Sequence, residues 1–237
     1  MSLVERTAEI RQKIAVAAQK SGRDPDDIAL MAVTKTFGPK DIRESYEAGL
    51  RLFGENRVQE FAGKVNELVD LTDAEWHMIG HLQSNKANKA VELFSGVDSV
   101  DSVRLAEKLN AAANERGKKL KILVEVNVGG EAAKSGVDPD SQEFWKLLES
   151  APSWAQLEIQ GLMTVPPFTE DPEGARPYFR RLRELRDQIA GRQFPAVNMD
   201  VLSMGMSHDF EVAIEEGSTC VRVGTAIFGS RPTPQKT

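Results

Sequence analysis

The chain has 237 residues, of which 41% are hydrophobic and 28% charged, and these proportions exclude a disordered or fibrous protein. Its formal net charge of −6 disfavours nucleic acid and anionic membranes as partners, because both attract basic surfaces. A single cysteine, Cys220, excludes a disulfide framework and a thiolate metal cluster.

Charged residues begin early in the sequence, at Glu5, Arg6, Glu9 and Arg11. They interrupt any apolar run that could act as a targeting segment, so we expect a cytoplasmic protein. The longest apolar runs elsewhere have the length of a strand and are far below a membrane span, so no membrane partner is expected. Cys220 lies inside one such run, which favours a buried small side chain over a nucleophile.

Apolar runs and helical spacings alternate along the chain. A helical stripe from the start to about residue 20 precedes the first strand. The predicted strands cover residues 28–33, 50–53, 76–79, 93–100, 121–128, 157–165, 196–203 and 219–227. The predicted helices between them cover residues 39–48, 56–69, 85–92, 102–116, 141–148, 172–189 and 208–216. This order predicts a (β/α)8 barrel of the TIM type with an extra N-terminal helix, one domain over residues 1–237, although an open sheet remains an alternative.

Lys35 stands at the C-terminal end of the first predicted strand. The run before it, residues 28–33, is continuously apolar and typical of a strand buried on both faces. Apolar surroundings lower the pKa of an amine and expose a nucleophilic lone pair, which is how a Schiff-base lysine is made. The alternative is a solvated lysine that begins a loop, and position alone favours this alternative.

Small and polar residues cluster at the C-terminal ends of the predicted strands. These ends share one face of a parallel barrel, so residues that are distant in sequence can meet there. The residues at these ends are Lys35, Gly54, Glu55, Asn56, Gly80, His81, Asn127, Met163, Thr164, the segment 203–207, Arg222, Gly224 and Thr225. We therefore expect a binding site on this face.

Two of these strand ends together predict a phosphate site. Ser207 is a reasonable N-cap for the helix that follows, and Gly205 would allow a ligand to approach free amides closely. Gly224 and Thr225 offer a second set of amides, and phosphate sites of barrels are often built from the loops after strands seven and eight. Taken singly, either loop is better explained as a turn with a helix cap.

Other motifs give little support for different chemistry. His77 and His81 lack the glutamate that a zinc-protease helix requires, so no metal site is expected. His77 lies within a strand and favours a core histidine, whereas His81 or His208, near the loop face, could touch a ligand. The arginine-rich helix at 172–189 contains interleaved acidic residues, which favours a solvated face over a binding patch.

Six segments together resemble the pyridoxal phosphate homeostasis protein family. They are A-V-T-K at 32–35, F-G-E-N-R-V-Q-E at 53–60, W-H-M-I-G-H-L-Q-S-N-K at 76–86, G-L-M-T at 161–164, L-S-M-G-M-S at 202–207 and V-R-V-G-T-A-I-F-G at 221–229. The resemblance extends from the first strand to the last. The family is similar to the N-terminal barrel of alanine racemase, and its members bind pyridoxal 5′-phosphate (PLP) through the strand-one lysine.

The resemblance implies a role for each matching residue. Lys35 matches the Schiff-base lysine, and Arg222 matches the arginine that faces the pyridine nitrogen. A cation there disfavours protonation of that nitrogen and weakens PLP as an electron sink. The remaining matches are phosphate contacts at Ser207, Gly224 and Thr225, ring contacts at Asn56 and Met163, and further polar or backbone contacts at Ser203 and Met206.

The resemblance implies a PLP-binding protein of vitamin B6 and amino-acid homeostasis that delivers PLP to apo-enzymes, expected as a monomer. Alanine racemase would need a second, β-rich domain that supplies a tyrosine base, whereas Tyr46 and Tyr178 both fall in predicted helices. Racemisation requires proton transfer on both faces of the cofactor, so no robust enzymatic activity is expected. The alternatives are a PLP-dependent amino-acid racemase and a Schiff-base aldolase that acts on a sugar phosphate without a cofactor.

Overall fold

The computed structural model describes residues 1–131 and 135–229. Its strands, in chain order, are β1 (Ala29–Val33), β2 (Leu52–Glu55), β3 (Glu75–Met78), β4 (Gly96–Val100), β5 (Leu120–Glu125), β6 (Leu157–Met163), β7 (Val197–Met206) and β8 (Cys220–Val223). These eight strands are parallel and pair in sequence order, and β1 closes the barrel on β8. The predicted (β/α)8 barrel is thereby confirmed.

Helices surround the strands of the described chain. They are α1 (Leu3–Lys20), α2 (Pro39–Glu47), α3 (Val58–Lys64), α4 (Ala87–Leu93), α5 (Val103–Glu115), α6 (Gln142–Glu149), α7 (Arg176–Arg192), α8 (Phe210–Glu215) and α9 (Thr225–Phe228). The extra N-terminal helix, α1, begins with a capping box between Ser2 and Glu5 and packs against α8 and α9. Within the described residues, no helix combines the length and the apolar character needed to cross a bilayer.

Apolar burial holds the helices to the barrel. Every residue of β4 is buried, as expected for a strand covered on both faces. On one side, Phe61 of α3 packs between Trp76 and Phe94, with ring centroids 4.8 and 5.0 Å away. Cys220 is buried in β8, and burial raises the pKa of its thiol to about 12, which agrees with the predicted inert role.

Several predicted strand ends at the binding face are wrong. The strand predicted over 219–227 ends at Val223, and Thr225–Phe228 form α9 instead. The strands predicted over 121–128 and 157–165 end at Glu125 and Met163. β2 continues to Glu55, whose carboxylate is buried against Lys64 of α3. β7 continues to Met206, so Ser207 does not cap the next helix; Asp209 occupies the N-cap position of α8. Gly205 permits this path because its φ is +92° and an added Cβ would lie 2.5 Å from the Cβ of Ala213.

The arginine-rich helix α7 uses its charges within the protein. Arg176 pairs with Glu215 at 2.7 Å, and both Arg180 and Arg183 reach Glu216 at 3.0 Å. These carboxylates come from the end of α8, so the ion pairs fasten two neighbouring helices. The sequence predicted a solvated face. The half-exposed Arg180 agrees with this prediction, but the buried Glu216 shows that part of the face packs against α8.

Candidate binding site at the C-terminal end of the barrel

A cavity of about 470 Å³ opens at the C-terminal end of the strands. Its lining residues are Val33, Lys35, Phe37, Asn56, Ile79, Val165, Phe168, Met206, Ser207, His208, Arg222, Gly224 and Thr225. The structure thus brings seven of the nine candidate site residues to one cavity. The other two, Met163 and Ser203, are fully buried in the strands and do not belong to the lining.

Lys35 reaches the cavity from a tight turn that follows β1. The N–H of Phe37 donates to the carbonyl of Thr34 at 3.1 Å and closes this turn. Thr36, the residue after the lysine, has a φ of +69°, a left-handed conformation that is rare for a β-branched side chain. Lys35 itself is half-buried, so a rigid strand and a strained turn together fix where its side chain starts.

Arg222 provides a buried cation in the cavity wall. Its Nη1 donates to Ser203 Oγ and its Nη2 to the carbonyl of Thr164, both at 2.7 Å. Ser203 therefore orients the guanidinium from behind the cavity surface. Burial lowers the pKa of Arg222, while nearby carboxylates, including Asp98 and Glu125, oppose the shift. The pKa of Glu125 is in turn raised to about 7, chiefly by its own burial.

A hydroxyl and two amides meet where β7 and β8 end. Ser207 Oγ accepts hydrogen bonds from the N–H of Gly224 at 3.1 Å and the N–H of Ala226 at 3.4 Å. Asp209 Oδ1 accepts from the N–H of Met206 at 2.6 Å and so fixes the loop that carries Ser207. An added Cβ at Gly224 would come no closer than 3.5 Å to Val33, which leaves room above these amides.

Asn56, directly after β2, lines the cavity beside Gly80, which follows β3 and permits a close backbone approach. A Cβ placed on Gly80 would lie 2.4 Å from the carbonyl oxygen of Asn56. Only glycine is compatible with this contact, so Gly80 sets the position of the segment after β2. The sequence placed both residues at strand ends but gave no indication that one fixes the other.

The apolar part of the cavity was not assigned from sequence. It consists of Val33, Phe37, Ile79, Val165 and Phe168, of which Phe168 is 80% exposed at the mouth. The sequence signal for this apolar surface was Phe168, a phenylalanine that follows two prolines and precedes an acidic turn. The ring of Phe168 lies 5.6 Å from that of His208, whose Nε2 is 3.1 Å from the carbonyl of Glu170. These contacts place His208 in the cavity rim, where the sequence allowed a ligand contact.

The other two histidines lie outside this cavity. His77 is paired with Asp98 inside the barrel, with Nδ1 and Oδ1 2.9 Å apart, which agrees with the predicted core histidine. His81 is 57% exposed, and its Nδ1 lies 3.4 Å from Asp101. Among residues 1–131 and 135–229, no group of histidine, cysteine and acidic residues has a geometry that could hold a metal ion.

Comparison with known proteins identifies the family. The family model for "Alanine racemase, N-terminal domain" matches residues 6–232. A protein of Aquifex aeolicus called pyridoxal phosphate homeostasis protein is 45% identical over 231 residues, which cover 98% of this chain and 99% of that one. This chain belongs to the pyridoxal phosphate homeostasis protein family.

Solved structures share the barrel of this chain. PipY of Synechococcus elongatus, solved with PLP bound, superposes with a TM-score of 0.81 at 38% identity and covers 96% of this chain and 100% of its own. An alanine racemase of Streptomyces lavendulae superposes with a TM-score of 0.72 at 20% identity, over 99% of this chain and 59% of the racemase. At that identity the racemase shows the shared barrel alone.

Proposed function

We propose that this protein binds PLP as a Schiff base on Lys35 and delivers it to apo-enzymes, thereby serving intracellular vitamin B6 and amino-acid homeostasis. The observation that carries the proposal is the meeting of an amine, a buried guanidinium and a hydroxyl–amide cluster in one cavity. Its volume falls within the range of about 300–1,000 Å³ that is typical of small-molecule sites. The name of the Aquifex aeolicus relative and the PLP bound to PipY support the same ligand.

Each polar group of the cavity suits one part of PLP. When bound, PLP supplies an aldehyde that condenses with the Nζ of Lys35, with loss of water. Arg222, held by Ser203 and Thr164, opposes protonation of the pyridine nitrogen. The apolar residues Val33 and Ile79 and the amide of Asn56 offer surfaces for the ring. The residues therefore fit a PLP whose electron-withdrawing power is kept low.

The cluster at the ends of β7 and β8 suits the phosphate. Ser207 would contribute its hydroxyl, and Gly224 and Thr225 would contribute backbone amides, with the phosphate taking over the bond that the Gly224 N–H donates to Ser207 Oγ in this structure. Such charge-assisted hydrogen bonds each contribute about 1.5–3 kcal/mol to binding a dianion. Because these groups come from adjacent strand ends, they can hold the phosphate while Lys35, at the end of the neighbouring β1, holds the aldehyde.

The same cavity is poorly equipped for amino-acid turnover. Its described lining contains no tyrosine, since Tyr46 lies in α2 and Tyr178 in α7. The hydroxyl of Tyr46 donates to Asp73. A missing general base removes about 10²–10⁴-fold in rate, and Arg222 further disfavours the carbanion chemistry of PLP enzymes. We therefore propose a carrier without robust catalytic activity.

Borohydride trapping tests the proposal directly. PLP added to the protein should give the yellow absorbance of a Schiff base, and reduction followed by peptide mapping should place the pyridoxyl group on Lys35. The exposed Lys40, five residues further along, provides a matched control, and Lys40→Ala should behave as the wild type. Label on another lysine of the wild-type protein would refute the assignment.

Two functional assays separate a carrier from an enzyme. Incubation of the loaded protein with a PLP-dependent apo-enzyme should restore that enzyme's activity. Exchange of the α-proton of alanine for deuterium should stay near the rate with free PLP. Rapid, stereospecific exchange that is lost in Lys35→Ala would favour the alternative, an amino-acid racemase.

A further inference from the structure

The turn that carries Lys35 is held in a conformation that its own sequence does not favour. A left-handed conformation is unfavourable for a β-branched residue such as Thr36, so the surroundings must impose it. The N–H of Thr36 donates to Glu60 Oε1 at 2.5 Å, which draws the peptide plane toward α3. The residue beside the proposed Schiff-base lysine is therefore fixed by a carboxylate from a different element.

Lys64, at the end of α3, joins the two ends of the same turn. Its Nζ donates to the carbonyl of Thr34 at 3.0 Å and to the carbonyl of Phe37 at 3.2 Å. These are the residues on either side of Lys35 and Thr36. The Lys64 side chain is only 8% exposed, so its ammonium donates hydrogen bonds to the turn rather than to solvent.

Two carboxylates neutralise the buried ammonium, and both also contact the turn. Glu55 Oε1 lies 2.7 Å from Lys64 Nζ and accepts from the hydroxyl of Thr34 at 2.5 Å. Glu60 Oε1 lies 3.6 Å from the same ammonium and binds the amide of Thr36. Burial raises the pKa of Glu55, and Lys64 opposes that shift. The three ionic groups thus converge on the four residues 34–37.

Stability alone is a weak explanation for such a cluster. Burying an ion pair usually contributes no more to stability than apolar residues of similar size would. In this protein, moreover, Glu55 Oε2 is buried and has no hydrogen-bond partner among the described residues. The cluster does, however, fix the backbone on both sides of Lys35, and amine attack on an aldehyde requires an oriented amine.

We propose that Glu55, Glu60 and Lys64 are positioning residues that hold the turn so that Lys35 meets the aldehyde, and that they thereby select aldehyde-bearing PLP over its alcohol analogue. The inference rests on the proposed Schiff base and extends it to specificity. Pyridoxine 5′-phosphate carries the same ring and phosphate but a hydroxymethyl group in place of the aldehyde. It therefore uses every part of the site except the oriented amine.

Paired titrations with PLP and pyridoxine 5′-phosphate test the proposal. Glu60 is the residue to change, because its side chain is 29% exposed and its loss leaves Lys64 paired with Glu55. Glu60→Ala should weaken PLP binding about tenfold, the effect of one charge-assisted hydrogen bond, while pyridoxine 5′-phosphate binding changes less than about twofold. Glu60→Gln, which keeps an acceptor for the Thr36 amide, should recover most of the loss. The exposed Glu67 is the control, and Glu67→Ala should bind both ligands as the wild type does.

A rescue variant separates positioning from general damage. Glycine adopts the left-handed conformation without penalty, so Thr36→Gly placed in the Glu60→Ala protein should restore several-fold of the lost PLP affinity. Equal losses for the two ligands, or an unchanged PLP affinity in Glu60→Ala, would overturn the proposal. Lys35→Ala tests the Schiff base separately from the positioning role. If it leaves the preference for PLP intact, the Schiff base itself is wrong and the positioning role falls with it.

Discussion

The two ends of the barrel each contain a buried cation, and the two cations have different hydrogen-bond partners. Near the N-terminal ends of the strands, His77 is paired with the carboxylate of Asp98 at 2.9 Å beside a cavity of about 310 Å³. Near the C-terminal ends, Arg222 donates its described hydrogen bonds to neutral oxygens of Ser203 and Thr164. Removal of one partner from a buried pair destabilises the fold because the other charge is left uncompensated, whereas a charge held by neutral groups remains able to act on a ligand.

The pKa values of the two residues shift in opposite directions. Burial alone would lower the pKa of His77, but Asp98 and the nearby Glu75 outweigh it and raise the pKa to about 9. Burial also lowers the pKa of Arg222, and there it prevails. The comparison predicts that substitutions at the first end reduce stability and spare the ligand, and that substitutions at the second end do the reverse.

The largest expected effect is the loss of stability in His77→Ala. The change leaves Asp98, which is 2% exposed, as an uncompensated buried charge, and breaking such a pair costs about 3–5 kcal/mol. Urea unfolding measures the loss, and PLP affinity should remain within about twofold. His81→Ala, at an exposed position, should change the free energy of unfolding by no more than about 0.5 kcal/mol. A loss below about 1 kcal/mol in His77→Ala would show that the His77–Asp98 pair does not support the fold.

The same pair gives the protein a pH-dependent stability. Because the pKa of His77 is about 9 in the folded protein and about 6.5 when unfolded, its contribution is complete below pH 6.5. The contribution is lost as the pH rises to 9, with a magnitude on the order of 3 kcal/mol. Unfolding of wild-type and His77→Gln proteins across this window should show a steep decline for the wild type only. Parallel curves would mean that His77 is not the titrating group.

At the other end, Lys35→Ala should affect the ligand and not the fold. Loss of the covalent bond should weaken PLP binding about 100-fold, equivalent to about 2.8 kcal/mol, and abolish the Schiff-base absorbance. The free energy of unfolding without ligand should stay within about 1 kcal/mol of the wild type, because the half-buried side chain leaves a turn that other residues hold. A large loss of stability would show that this end also supports the fold.

The smallest expected effect distinguishes the phosphate contacts from the ring contacts. Gly224→Ala adds a Cβ that meets only Val33 at 3.5 Å, so this variant is the control for folding. Gly224→Val adds bulk beside the amides and should weaken PLP binding about tenfold, the equivalent of one charge-assisted hydrogen bond. Binding of pyridoxal, which has no phosphate, should be nearly unchanged. If both ligands lose affinity equally, Gly224 does not mark the phosphate position.

Much of the fold followed from the sequence because the responsible signals are local. Apolar runs of strand length alternate with segments of helical spacing, and this alternation is enough to predict a barrel. The barrel alone brings Lys35, Ser207 and Gly224 to one face. Polar residues at the ends of strands identified this face even before their partners were known.

The parts that sequence did not predict depend on contacts between distant residues. The sequence placed Gly54 and Glu55 after the second strand, yet Lys64 compensates the buried carboxylate of Glu55 and β2 continues through both residues. Ser207 was assigned as a helix cap, but its hydroxyl accepts from Gly224 and Ala226 of the next strand end. In both cases the decisive partner lies on another element, which no local pattern reveals.

Closure of the barrel between β1 and β8 affects how the protein is made. Ala32 of the first strand lies opposite Val223 of the last, so nearly the whole chain separates two elements that are neighbours in space. Contacts of this kind form late in folding, because joining distant segments costs more conformational entropy than forming local ones. A chain still on the ribosome therefore displays Lys35 well before the amides of Gly224 and Ala226 exist beside it. Under the proposed function, tight capture of PLP would distinguish finished molecules from nascent ones.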